Sequence, residues 1–206
     1  MKTDRSADEA RLFALIRDRS FRRGKFRLVS GRESELYFNL KPTMMWPEGA
    51  LLCARALLAR IWAENVDYAG GLEMGAVPVI AALAAVSAAE GRPVKTFFVR
   101  KQAKGHGTMD IIEGLAPNET LQNARVMVVD DVATSGGSIL KAAEAVRAAD
   151  ADVVAGLVVV DREEGAAETL QANNVRLLSV FKGREFLEGG SAKDESSVLA
   201  NVPKTG

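Results

Sequence analysis

The feature that most constrains this chain is a pair of unbroken apolar runs, VMVV at 126–129 and VVAGLVVV at 153–160. A strand with one face in water alternates apolar and polar residues, whereas a strand covered on both faces does not. Such runs are expected in a parallel sheet with helices on either side. The sequence supplies those helices in VPVIAALAAVSAAE (77–90) and GSILKAAEAVRAAD (137–150), both rich in alanine. Further strands are expected over 67–73, 94–100, 124–131, 151–161 and 175–181, with a short helix near 163–173. Ahead of these, residues 7–21 read as an amphipathic helix with Leu12, Leu15 and Ile16 on one side. Residues 25–40 read as two short strands joined around Ser30-Gly31, and Pro47 opens a helix running to about Glu64. The expected fold class is α/β: an open, mostly parallel sheet flanked by helices, with an N-terminal αββ addition. One domain is expected over residues 1–188, and the small, polar segment 189–206 is expected to be a flexible C-terminal tail.

Charge excludes several classes of partner. Lys plus Arg and Asp plus Glu each number 27, so the formal net charge is zero. No general electrostatic footprint for nucleic acid or an anionic membrane is present, and any anion site must come from local clustering. The N-terminal MKTDRSADEARLFALI lacks the apolar core of a signal peptide, and the most apolar stretch, AVPVIAALAAVSAA, is shorter than a membrane span. A cytoplasmic location is expected. The single cysteine, Cys53, lies in LLCARALLARIW on what reads as the buried side of a helix, where packing is its expected role.

The stretch VVDDVATSGGSIL (128–140) combines two acids with a small, hydroxyl- and glycine-rich turn. Ligands of an open parallel sheet gather at the carboxyl ends of its strands, where Asp130 and Asp131 are expected. The turn then enters a helix whose free N–H groups and dipole favour a phosphate. Gly136 and Gly137 allow close backbone approach, and Thr134, Ser135 and Ser138 offer hydroxyls. Neither a Walker A loop nor the Gly-x-Gly-x-x-Gly of a dinucleotide fold is present. A glycine turn alone could equally be a plain strand-to-helix connection, but the acids alter that balance. Carboxylates only accept hydrogen bonds, so beside a bound phosphate they need neutral donors from the same ligand. Two vicinal sugar hydroxyls would supply them, which points to a ribose 5-phosphate. The bland alternative is an acid pair that caps the next turn.

This segment resembles the phosphoribosyl-diphosphate signature of the type I phosphoribosyltransferases. The resemblance implies that Asp130 and Asp131 contact the ribose hydroxyls. It also implies that Val132, Ala133, Thr134, Ser135, Gly136, Gly137 and Ser138 hold the 5-phosphate. A second constellation, RKQAKGHGTMDIIEG (100–114), crowds Arg100, Lys101, Lys104 and His106 into seven residues. A solvated charge run is the usual alternative, but neighbouring like charges on a glycine-rich loop repel unless an anion arrives. Departure of diphosphate from the anomeric carbon builds negative charge that cationic donors stabilise, and a closing loop would exclude water from the sugar cation.

Arg-Lys-x-x-Lys-x-His-Gly resembles the catalytic loop of the orotate phosphoribosyltransferases. By that resemblance Arg100, Lys104 and His106 are the catalytic residues on the diphosphate, and Lys101 reaches it from a partner subunit. The same resemblance implies a homodimer that shares the loop 100–113 across active sites. It further implies Mg²⁺ held mainly by the diphosphate substrate rather than by a protein metal site. LVSGRESELYFNLKPTM (28–44) resembles the family's N-terminal hood, here about 1–45, and places Tyr37 and Phe38 near the base. A strand pair with one buried aromatic is the alternative for either one. Arg162, in VVVDREEGA (158–166), has the planar fork that matches a carboxylate, and the resemblance gives it and Thr134 to orotate.

The chain departs from some family members at Val29 and at Met74-Gly75, where they carry lysines; Lys25 or Lys41 are the candidates to compensate. Three readings compete with this one: a phosphoribosyltransferase for another base, a nucleic-acid-binding regulator that kept the fold, and a diphosphate sensor without catalysis.

Overall fold

The computed structural model describes residues 5–27, 33–102 and 111–188. Helix α1 (Arg5–Arg19) leads into a hairpin of β1 (Phe21–Arg27) and β2 (Glu33–Phe38). The hairpin is antiparallel, with Phe21 opposite Phe38 and Arg22 opposite Tyr37. A single helical turn, α2 (Lys41–Met44), then precedes α3 (Pro47–Ala63). Pro47 occupies the first turn of α3, with Glu48 beside it and Arg60 in the last turn, each matching the local end of the helix dipole.

The remaining chain alternates strand and helix: β3 (Tyr68–Leu72), α4 (Val77–Ala89), β4 (Lys95–Val99), β5 (Ile112–Glu113), β6 (Arg125–Ala133), α5 (Gly137–Ala148), β7 (Asp152–Asp161), α6 (Ala166–Ala172), β8 (Leu177–Lys182) and α7 (Glu185–Glu188). The sheet order is β5-β4-β3-β6-β7-β8, parallel throughout except for the short antiparallel β5. From β3 the chain steps outward to β4 and then crosses back to place β6 on the other side of β3. The reversal makes β3–β6 the topological switch point, where a crevice opens beyond the carboxyl ends.

The unbroken apolar runs have the expected cause. On β6, Met127 and Val129 enter the core shared with α1, α3 and α4, whereas Val126 and Val128 enter the core under α5 and α6. Leu157 and Val159 on β7 take the first core and Val158 the second. Side chains alternate between two dry faces, so apolarity does not alternate.

The N-terminal segment is fixed by packing and charge. Leu12, Leu15 and Ile16 are buried as expected. Phe13 stacks on Phe186 at 4.2 Å between ring centroids, and Phe21 and Phe38 lie 5.0 Å apart and touch the same ring. Arg60 reaches Glu9 at 2.9 Å and Arg11 reaches Glu48 at 2.7 Å, tying α1 to α3. This anchors the hairpin against β8 and α7, and so sets where β2 meets the sheet edge.

Several boundaries differ from the sequence reading. The first strand starts at Phe21 rather than 25, and α2, β5 and α7 are short elements with no periodic signal in the sequence. Strand β6 runs on to Ala133, beyond the expected end at 131, because β7 pairs with it as far as Ala133 opposite Asp161. Segment 189–206, the Ser30-Gly31 junction, and Lys104 and His106 lie outside the described residues.

Candidate active site

The carboxyl ends of β4, β3, β6 and β7, with the connections beyond them, all lie at the same edge of the sheet. They carry, in turn, Arg100 and Lys101, the 73–76 turn, the acid pair with its glycine turn, and Arg162. Residues scattered over ninety positions of sequence are therefore brought together by topology alone.

Asp130 and Asp131 sit at the switch point. The Asp131 N–H donates to Asp130 Oδ1 at 2.9 Å, and the Val132 N–H donates to Asp131 Oδ1 at 2.8 Å. Among the described residues neither carboxylate has an ion-pair partner. The turn after β3 lies directly against them: a Cβ on Gly75 would come within 2.8 Å of Asp130 Oδ1 and 3.3 Å of Asp131 Oδ1. Gly75 is thus the residue type that lets this turn cover the acids. Burial pushes the Asp130 carboxyl up to about 8, and the neighbouring Asp131 charge adds to the rise. Asp131 is also raised, chiefly by burial, with the Val132 amide opposing. The charge of Lys41 lowers both, so one of the two candidates to replace the absent lysines acts on this pair. Cys53 is buried on α3 with its thiol pushed up to about 12 by burial and by Asp131, which agrees with a packing role.

The glycine turn forms an open cavity of about 100 Å³, lined by Asp130, Val132 to Ser138 and Ile139. Gly136 has φ +82° and precedes the first residue of α5. An L side chain is disfavoured there, and a Cβ would also lie 3.1 Å from Leu170 Cγ and 3.2 Å from the Ala166 carbonyl oxygen. The turn therefore packs onto α6 while directing the α5 N-terminus at the cavity, which suits a phosphate.

On the β4 side, the Arg100 N–H donates to the Ile111 carbonyl at 2.7 Å, and its guanidinium lies 3.6 Å from Glu113. The Lys101 N–H donates to Glu73 Oε1 at 2.9 Å, linking this connection to the 73–76 turn. On the β7 side, the Arg162 N–H donates to the Ala133 carbonyl at 3.0 Å, so Arg162 is held beside the cavity. Its side chain donates from Nη2 to the Leu36 carbonyl at 2.6 Å and pairs with Glu164 at 2.8 Å. Tyr37 is 42% exposed, whereas Phe38 is 8% exposed and belongs to the aromatic cluster of the core. Adjacent residues of a strand face opposite ways, so Tyr37 is the accessible aromatic and Phe38 is a core residue.

Glu73, Glu113 and Glu164 complete these surroundings without having been singled out in sequence, and Gly75 was noted there only as a place where some family members carry a lysine. Only Glu164 carried a signal, two residues beyond Arg162 in the same segment. The others depend on which strands become neighbours.

An open parallel sheet with a buried aspartate, its half-buried neighbour and a phosphate-suited glycine turn at its switch point is the arrangement expected of a phosphoribosyl-transferring enzyme. Residues 47–180 match the family described as "Phosphoribosyl transferase domain". The orotate phosphoribosyltransferase of Bradyrhizobium diazoefficiens is 53% identical over 184 residues, covering 89% of this chain and 98% of that protein. The crystal structure of Mycobacterium tuberculosis orotate phosphoribosyltransferase in complex with Fe(III) dicitrate superposes with a TM-score of 0.73 at 37% identity, covering 87% of this chain and 98% of that one. A further structure of the M. tuberculosis enzyme, in complex with 5-phospho-α-D-ribosyl 1-diphosphate, gives a TM-score of 0.70 at 34% identity over 87% and 98% of the two chains. The chain belongs to the orotate phosphoribosyltransferase family, pentosyltransferases that convert orotate to orotidine 5′-monophosphate in pyrimidine biosynthesis.

Proposed function

We propose that residues 1–188 form one catalytic domain in which the β3–β6 crevice holds 5-phosphoribosyl 1-diphosphate and the hood, about 1–45, covers orotate. The observation that carries this reading is the pair of buried Asp130 and half-buried Asp131, which lies beside the glycine turn with no cation paired to it among the described residues. The 5-phosphate takes the N–H groups and hydroxyls of Thr134, Ser135, Gly136, Gly137 and Ser138, with Val132 and Ala133 lining the approach. Asp130 and Asp131 accept from the ribose hydroxyls and, as anions, favour the positive charge that develops on the sugar. Arg162 meets the carboxylate of orotate, Tyr37 lies along the base, and Thr134 faces it from the other side.

Transfer breaks the bond from C1 of the ribose to diphosphate oxygen and forms one from C1 to a ring nitrogen of orotate, whose N–H proton is released to the departing diphosphate or to water. The departing oxygens gain negative charge, which Arg100, Lys104 and His106 offset, with Lys101 supplied from a second copy of the chain in a homodimer sharing the 100–113 loop. Mg²⁺ bound to the diphosphate would further neutralise that charge. Asp130 and Asp131 would suit a nearby divalent cation, because burial raises both carboxyls and a cation would favour their anions. Among the described residues no helix is long and apolar enough to cross a membrane, and we place the enzyme in the cytoplasm.

The test is the decay of orotate absorbance with purified protein, phosphoribosyl diphosphate and Mg²⁺. Loss that requires all components and releases diphosphate is the expected result. Turnover with uracil or a purine but not orotate would contradict the base assignment. Binding of diphosphate without turnover of any base would leave only a sensor. Lys104→Ala is expected to keep the fold and lower turnover by orders of magnitude, and a near-normal kcat would remove Lys104 from catalysis.

A further inference from the structure

Strands β3 and β4 end side by side, and one residue links their exits. Leu72 lies opposite Val99 at the end of the pairing, and the Glu73 N–H donates to the Val99 carbonyl at 2.8 Å. The half-buried Glu73 side chain then reaches past the end of β4, where its Oε1 accepts the Lys101 N–H at 2.9 Å. The residues on either side of Lys101 are held as well. Arg100 donates its N–H to the Ile111 carbonyl at 2.7 Å and its Nε to the Gln102 carbonyl at 3.2 Å. The chain therefore leaves β4 through a fixed turn.

Glu73 accounts for the direction of that turn. Lys101 is exposed, so without Glu73 its N–H would turn to water, and many backbone directions would serve. A carboxylate acceptor makes the stronger kind of hydrogen bond, and here it selects one of those directions. It takes only the backbone N–H. Among the described residues, the Lys101 ammonium has no ion-pair partner, so it is left for an anion from outside, on a stem whose origin is fixed. The same glutamate begins the 73–76 turn, in which Gly75 lies against Asp130 and Asp131.

We propose that Glu73 is a positioning residue for diphosphate. It fixes the backbone of Lys101 through the N–H, so that the ammonium is presented to the diphosphate from a constant position. Glu73 does not itself touch the substrate. This rests on the reading that Lys101 meets the diphosphate, supplied there to the second copy of the chain.

The test compares Glu73→Ala, Glu73→Gln, Glu73→Asp, Lys101→Ala and the double variant Glu73→Ala, Lys101→Ala in steady-state kinetics, with inhibition by added diphosphate measured on each. Glu73→Ala is expected to raise the phosphoribosyl-diphosphate KM and the diphosphate inhibition constant about fivefold or more, and to leave the orotate KM within about twofold. Glu73→Gln keeps an oxygen acceptor at the same reach and is expected to restore most of both values. Glu73→Asp, one methylene shorter, keeps the charge but withdraws the oxygen from the Lys101 N–H. It is expected to behave like the alanine variant even if that variant folds poorly. In the double variant, loss of Glu73 should add less than about twofold to the effect of Lys101→Ala, because Glu73 acts through Lys101.

Unchanged diphosphate inhibition in Glu73→Ala and Glu73→Asp overturns the proposal. So does an equal rise in both KM values, which would mark a general structural role. A Glu73→Gln variant as impaired as Glu73→Ala overturns it too, since charge rather than the acceptor would then matter. Fully additive effects in the double variant would separate Glu73 from Lys101 and have the same consequence. Lys101→Ala distinguishes the two layers. If it leaves diphosphate inhibition unchanged, the role of Lys101 falls and the positioning role with it. If it weakens inhibition while the Glu73 variants do not, only the positioning role falls.

Discussion

Asp130 and Asp161 are buried aspartates near the carboxyl ends of neighbouring parallel strands, 6% and 1% exposed, yet their surroundings are opposite. Asp161 meets Lys182 at 2.8 Å and accepts the Glu163 N–H, so its charge is used to shape the turn that carries Arg162. Asp130 accepts the amide of the next residue, stands against a second carboxylate and has no ion-pair partner among the described residues. Pairing offsets part of the cost of burying an acid. Leaving two acids together at the switch point stores an electrostatic cost in the unliganded chain, and a ligand that donates hydroxyls and brings a cation would relieve it. The contrast separates an acid that maintains the scaffold from acids held ready for a substrate.

The largest expected effect breaks the comparison on the Asp130 side. Asp130→Asn should lower kcat/KM by about 10²-fold or more, the scale of losing one group aimed at transition-state charge. The same change should stabilise the unliganded protein. The folded pKa of Asp130 is raised from its ordinary 3.8 to about 8. Its contribution to stability is therefore fully present below about pH 4 and lost as pH rises through about 8. In thermal unfolding, the Tm advantage of Asp130→Asn over the parent chain should be least near pH 4 and grow to several degrees by pH 8 to 9. A constant difference across that range would contradict the burial argument.

Asp161→Asn should act in the opposite sense. Removing this charge leaves Lys182, which is itself partly exposed, facing a neutral group, and is expected to cost about 1 kcal/mol in denaturant unfolding. Turnover per folded molecule should fall less than in Asp130→Asn. A stabilised Asp161→Asn would mean that the two aspartates do not differ in kind.

Gly136→Ala sharpens the comparison at the phosphate turn. Its φ of +82° and the contacts with Leu170 and Ala166 predict a loss of about 1–2 kcal/mol, with phosphoribosyl-diphosphate affinity weakened in parallel. Smallest of all, Cys53→Ala should leave turnover unchanged and cost about 1 kcal/mol of stability, and the parent thiol should resist alkylation in the folded state. Rapid alkylation with loss of activity would place Cys53 in the site.

Much of this architecture was legible before any coordinates, for physical reasons that differ by element. Strands β6 and β7 announced themselves because both faces are dry, and α3 because Pro47 marks its start. The acid pair and glycine turn are contiguous in sequence, so one motif carries most of the cavity. Strand β6 was read two residues short because pairing with β7, not local preference, keeps Val132 and Ala133 extended. Phe38 was assigned to the base together with Tyr37, yet strand alternation sends one ring to solvent and the other to the core. Glu73 was illegible as a site residue, and Gly75 was visible only as the place of an absent lysine, since their closeness to Lys101 and Asp130 exists only once β3 lies between β4 and β6.

The most direct measurement is calorimetric binding of phosphoribosyl diphosphate with Mg²⁺ at pH 8 to the parent chain and to the double variant Asp130→Asn, Asp131→Asn. If the acids are held ready for the ribose and its cation, the parent should bind at least about tenfold more tightly, although the variant starts from the more stable fold. Equal affinity in the two proteins would contradict the account, because the cost carried by the acid pair would then serve no ligand at this site.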